Sequence, residues 1–136
     1  DSRAALNAQE LIGGYRQIID RCHAHGIKVI GATILPEEGF TAASERGEKI
    51  RLEVNRWIRT KGNFDAFVDF DAAVRDPENP ARIKPAFDLG DHIHPNDARQ
   101  PGISRRLRSR FVQEMKAART TARRPWFRRR GLPKSR

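Results

Sequence analysis

Ten consecutive residues, Asp88-Leu89-Gly90-Asp91-His92-Ile93-His94-Pro95-Asn96-Asp97, hold three acids and two of the four histidines in the chain. An imidazole that is to take a proton from a hydroxyl needs its other ring nitrogen held by an acceptor. A carboxylate serves best, because it also stabilises the imidazolium that forms. Asp91 stands three residues before His94, a spacing that lets a loop fold the acid back onto the ring. Two other readings stay open on these residues alone. One is a solvated polar loop. The other is a metal site, with His92 and His94 as alternating ligands and Asp88, Asp91 and Asp97 adding oxygens. A strand would put both imidazoles on one side, but Gly90 and Pro95 argue for a loop.

The remaining candidates carry less chemistry. His23 and His25 fall at the end of a helix, where they favour its dipole and are expected at the surface. Asp69 and Asp71 flank Phe70 at the end of a strand, a place where α/β proteins keep functional residues and also where ordinary turns begin. Cys22 lies on an apolar helix face and is expected to pack as a small hydrophobe.

These residues need elements to position them. Asn7 and Glu10 have capping-box spacing. Leu11, Ile12, Tyr15, Ile18, Ile19 and Cys22 then mark one helical face, with Gly26 as its C′ residue after His25. Ile27 to Leu35 is almost continuously apolar and β-branched, which predicts a strand buried on both faces and closed by Pro36. Loops that leave such strand ends carry the sites of open α/β sheets. Ser44 is the expected cap of a second helix, with Ile50, Val54, Trp57 and Ile58 inward, Arg51, Glu53 and Arg56 on its polar side, and Lys61-Gly62-Asn63 as its stop. Phe64 to Phe70 alternates as a second strand. Helix, strand, helix, strand with short links implies a parallel sheet with crossover helices. Residues 71–87 read as mostly irregular, with turn chemistry at Asp76-Pro77-Glu78-Asn79-Pro80.

After Ala98 the sequence changes character. Residues 1–98 carry a net charge of −3 and residues 99–136 one of +13, so the overall +10 belongs to the tail. A helix expected after an Asn96 or Asp97 cap is interrupted by Pro101-Gly102. Leu107, Phe111 and Met115 have the rhythm of one short helix, and the last dozen residues read as disordered. Arginine clusters attract phosphate backbones non-specifically, and Trp126-Phe127 can stack on bases. No nucleic-acid module accompanies them, and a shifted reading frame in GC-rich coding DNA produces the same kind of sequence. The latter is the preferred reading, with nucleic-acid binding as the alternative function.

The 136 residues fit a single domain with a modest core: 38% are hydrophobic and the mean hydropathy is −0.73. One cysteine excludes an internal disulfide framework and a Cys-x-x-Cys metal site. No apolar run reaches the ~18 residues of a membrane span. The chain opens Asp-Ser-Arg, without the apolar core of a signal peptide, and its localisation stays open.

Three segments together resemble the C-terminal half of an SGNH (GDSL-type) hydrolase. Leu11 to Ile19 with His25 to Thr33 is similar to the helix and strand that follow the family's Gly-x-Asn-Asp block. Val54 to Arg59 through Phe64 to Phe70 resembles the next helix and strand. Gly90-Asp91-His92-Ile93-His94-Pro95-Asn96-Asp97-Ala98 resembles the Asp-x-x-His block. The resemblance spans about residues 8–98 and implies a flavodoxin-like three-layer α/β/α parallel-sheet fold, present as a partial domain in residues 1–98. It implies a serine-type carboxylic ester hydrolase that needs no cofactor, with Asp91 as orienting acid and His94 as general base. Small-molecule, lipid or carbohydrate esters are the implied substrates. The family's Gly-Asp-Ser and Gly-x-Asn-Asp blocks are absent. Asp1-Ser2 copies two letters of the first, but no strand precedes it and a helix cap follows five residues later, so Ser2 is rejected as nucleophile. The expectation is a fragment, inactive alone, followed by a basic tail over residues 99–136.

Overall fold

The computed structural model of the chain describes residues 7–96 together with Ser109, Val112, Gln113 and Lys116. The first helix, α1, spans Ala8–Ala24. Asn7 begins it: its side chain accepts from the Glu10 N–H at 2.9 Å, and the Glu10 carboxylate accepts from the Asn7 N–H at 2.8 Å. This is the reciprocal cap that satisfies two of the orphan donors at a helix start. His25 closes the helix and Gly26 follows at φ 70. Of the predicted apolar face, Ile12 and Ile19 are buried, whereas Ile18 is exposed.

The first strand, β1, is only Ile30–Ala32, much shorter than the predicted Ile27–Leu35 and not buried on both faces. Competing hydrogen bonds explain the difference. Ile27 N–H turns back to the Cys22 carbonyl at 2.8 Å, and Val29 N–H is taken by the Asp65 carboxylate at 2.7 Å. At the far end the Asn55 side chain occupies both polar groups of Ile34, accepting from its N–H at 2.7 Å and donating to its carbonyl at 2.8 Å. Ile27 itself is exposed.

Helix α2 spans Glu45–Arg59, capped by Ser44, whose side chain accepts from Gly47 N–H. Strand β2, Ala66–Val68, runs parallel to β1 with Ile30 opposite Ala66, Gly31 opposite Phe67 and Ala32 opposite Val68. Gly31 is a requirement: a methyl there would stand 2.6 Å from the Phe64 ring. The order β1–α2–β2 is the predicted parallel α/β unit. Ala8 and Ile12 of α1 meet Val54 and Ile58 of α2 in a core flanked by Tyr15, Ile34, Trp57, Phe64 and Phe67. Burial of these apolar groups, rather than helix propensity, holds the two helices together.

Residues 71–87 are more ordered than predicted. A five-residue helix, α3, Phe70–Val74, starts directly after β2 with Asp69 as its cap. An antiparallel bridge then joins Arg75 to Ile83. Among the described residues no helix is long and apolar enough to cross a membrane. Ser109, Val112, Gln113 and Lys116 are helical. The expected Asp97 cap and the rest of the tail lie outside the described residues.

Candidate functional site

Residues 88–96 form a closed loop. An antiparallel bridge joins Asp88 to Pro95, Leu89 N–H donates to the His94 carbonyl at 3.0 Å, and Asn96 N–H donates to the Phe87 carbonyl at 2.6 Å. Inside this loop Asp91 Oδ1 accepts from the Ile93 and His94 N–H groups at 3.1 and 2.9 Å. Asp91 Oδ2 lies 2.6 Å from His94 Nδ1. The predicted pair is therefore in contact, with the carboxylate on Nδ1. The outer nitrogen, Nε2, has no hydrogen bond among the described residues, and 66% of the His94 side chain is exposed. The hydrogen bond from His94, reinforced by the two N–H donors, holds the Asp91 carboxyl down at about 2. A carboxylate on Nδ1, fully ionised at neutral pH, leaves Nε2 the basic edge, which is the arrangement a general base needs.

The same loop holds a second couple that the sequence reading did not identify. Asp88 Oδ1 accepts from Gly90 and His92 N–H at 2.8 and 3.0 Å, and Asp88 Oδ2 lies 2.6 Å from His92 Nδ1. Burial would raise the Asp88 carboxyl, but these N–H donors and the His92 ring bring it below its ordinary value. The Asp-x-x-x-His spacing of Asp88 and His92 was the available signal; the stronger resemblance around Asp91 masked it. His92 has φ 68, and its ring lies against the loop that leaves β1: a methyl on Gly39 would stand 2.9 Å from its Cγ and Cδ2.

A cavity of about 470 Å³ borders that loop, lined by Glu37, Gly39, Phe40, Ala43, Glu48 and Ala81 among others. Gly39 of its lining lies against the His92 ring, and neither Asp91 nor His94 borders the cavity. Neither histidine pair builds a metal centre with neighbours: among the described residues no three His, Cys, Asp or Glu side chains converge as a group able to hold an ion.

The strand-end acids do structural work. Asp69 caps α3 through Ala72 N–H at 3.0 Å, accepts from Thr33 Oγ1 at 3.1 Å and accepts from Arg59 Nε and Nη2 at 2.8 Å each. Burial opposes its charge, but Arg59, the Ala72 N–H and Thr33 outweigh burial and hold its carboxyl at about 2. Asp71 is fully buried and pairs with Arg51 at 2.7 Å, Arg59 at 2.5 Å and Arg75 at 3.1 Å. Arg51 is thus not on the solvent side of α2, as its place between apolar residues suggested. It is 3% exposed, and Glu48 grips it from the preceding turn at 2.6 Å through both oxygens. His23, expected at the surface, is half exposed and reaches Asp65 at 2.8 Å, tying the end of α1 to the start of β2. Cys22 is a half-buried free thiol.

The model of the GDSL-like lipase/acylhydrolase family matches residues 1–100. No curated protein matches the chain.

Proposed function

The chain belongs to the GDSL-like lipase/acylhydrolase family, and from that premise we propose that Asp91 and His94 are the acid and base of a serine-type carboxylic ester hydrolase. The observation that carries the reading is the 2.6 Å contact between Asp91 Oδ2 and His94 Nδ1, with Nε2 left open to solvent. In the proposed reaction Nε2 accepts the proton of a serine hydroxyl as its oxygen attacks the ester carbonyl. Asp91 stabilises the imidazolium. His94 then returns the proton to the leaving alkoxide, and a water activated in the same way hydrolyses the acyl-enzyme.

Ser44 is not offered as the nucleophile, since its Oγ caps α2 by accepting from Gly47 N–H at 3.0 Å. Ser2 lies outside the described residues. We propose that residues 1–98 are the C-terminal part of a three-layer, flavodoxin-like hydrolase domain, that residues 99–136 are a separate basic tail, and that this chain alone turns over no ester. The parallel β1–α2–β2 unit supports the fold. The His92–Gly39 contact, which sets the 88–96 loop beside the loop leaving β1, supports a site at the carboxyl ends of the strands.

The test is a transplant. Residues 88–96 replace the corresponding block in an active member of the family, and hydrolysis of p-nitrophenyl acetate is followed. The proposal expects activity to survive the exchange and to vanish with His94→Ala. A chimera that folds but is dead, or one indifferent to His94→Ala, defeats it.

A further inference from the structure

We propose that Asp88 and His92 form a positioning couple that holds Asp91 and His94 in working geometry and ties them to the loop leaving β1, a role that rests on the esterase reading of Asp91 and His94. The two couples share one construction. Each carboxylate uses Oδ1 to accept two backbone N–H groups and Oδ2 to meet an imidazole Nδ1. They are interleaved, so one sets the other. Asp91 stands between Gly90 and His92, and the N–H groups of both neighbours are fixed on Asp88 Oδ1. The backbone that aims the Asp91 carboxylate is thereby held from Asp88.

His92 is the stressed member of this arrangement. Its φ of 68 lies in the left-handed region, which residues other than glycine adopt uncommonly, with histidine, asparagine and aspartate entering it more often than the rest. Such a conformation persists only where the surroundings determine it. Here they do so from two sides: Asp88 Oδ2 at 2.6 Å on Nδ1, and the bare face of Gly39, where a side chain would collide with the ring. Exposure divides the labour between the couples. The Asp88 and His92 side chains are 12% and 47% exposed, against 43% and 66% for Asp91 and His94. The more covered couple is built into the loop wall, and the more open one presents its ring to a substrate. Gly39 also lines the 470 Å³ cavity, so a ligand that displaces that loop acts on His92 and, through it, on Asp91.

The role is tested on the full 136-residue chain by NMR, with no turnover required. The readouts are the Asp91 carboxyl titration and the Nδ1–H tautomer of His94. In the wild type the His94 ring and the two backbone N–H groups hold the Asp91 carboxyl at about 2, which is the midpoint expected. In His92→Ala and in Asp88→Asn, which keeps an amide acceptor for Gly90 and His92 N–H but loses the charged partner of the ring, its midpoint is expected to climb by about one unit toward the ordinary ~3.9, with loss of a single His94 tautomer. Amide shifts of residues 7–87 report an intact fold, which separates loosening from unfolding. His92→Asn, able to adopt positive φ and to donate to Asp88, is expected to restore the wild-type midpoint. An unchanged Asp91 midpoint in both folded variants, or a His92→Asn chain as perturbed as His92→Ala, overturns the role. The two readings fail separately: an unmoved Asp91 titration defeats the positioning role whatever the transplant does, and a dead transplant defeats the esterase reading whatever Asp91 does.

Discussion

Two regions of this molecule set aspartates against basic side chains, and they do opposite things with them. At the strand ends Asp69 and Asp71 share Arg59, and Asp71 also takes Arg51 from an earlier part of α2 and Arg75 from the end of α3. Asp71 and Arg51 are 0% and 3% exposed. No imidazole enters, no edge is left open, and each carboxylate oxygen is already taken. In the 88–96 loop the couples are local in sequence and the second is open to solvent, with one nitrogen of His94 unused among the described residues. Burial with saturated partners makes a strut; exposure with a vacant basic nitrogen makes a candidate catalyst. The kind of acid does not distinguish the two regions. What distinguishes them is the basic partner: arginines closed in around a buried carboxylate in one, an exposed imidazole with one ring nitrogen unpartnered among the described residues in the other.

The comparison breaks most sharply at His94. In an active family member carrying residues 88–96, His94→Ala is expected to lower kcat by about 10⁶-fold, since removing the base disables the nucleophile as well. Asp91→Asn is expected to cost about 10⁴-fold through loss of the tautomer and of charge stabilisation. Steady-state rates on p-nitrophenyl acetate read both, and near-normal rates would move the site elsewhere.

The strut is expected to answer in stability. Asp71→Ala leaves Arg51 and Arg59 partly unpaired in the interior, at a cost of about 3–5 kcal/mol, read as a lowered urea midpoint. Asp91→Ala in this chain should lower that midpoint much less, because Asp91 is exposed and its partners are local. A reversal of the two would undo the distinction between strut and site.

Acid supplies a graded version of the same contrast. Asp69 and Asp91 are both held at about 2 in the folded chain, below the ~3.9 of an unfolded aspartate. Their folded values are depressed, so their contribution is complete above pH ~4 and is lost as pH falls toward about 2. The thermal unfolding midpoint should therefore fall between pH 4 and 2. Asp69→Asn should flatten that dependence more than Asp91→Asn, because Asp69 is paired inside the fold. The smallest effect is at the far end of the chain: Asn7→Ala should cost about 1 kcal/mol through loss of the α1 cap.

How far these features could be read in the sequence depends on how local their causes are. The Asn7–Glu10 cap, the Ser44 cap and the Asp91–His94 contact all lie within three residues, and each was legible. The length of β1 was not. Its apolar run promised nine residues, but Asp65 and Asn55, thirty-six and twenty-one positions away, take the N–H groups of Val29 and Ile34. Arg51 misled for the same reason: nothing local says that the helix face between Ile50 and Val54 will meet Asp71. Asp88–His92 was legible by spacing and passed over, because the left-handed turn that brings them together needs the open face of Gly39, far away in sequence.

The most direct measurement of the central claim is covalent labelling of the catalytic serine by a fluorophosphonate in the family member carrying residues 88–96. Activation of that serine is the first task assigned to His94, and the one this reagent reads. The account predicts rapid labelling with His94 present and labelling slowed by several orders of magnitude in His94→Ala. Undiminished labelling of a folded His94→Ala protein would contradict it.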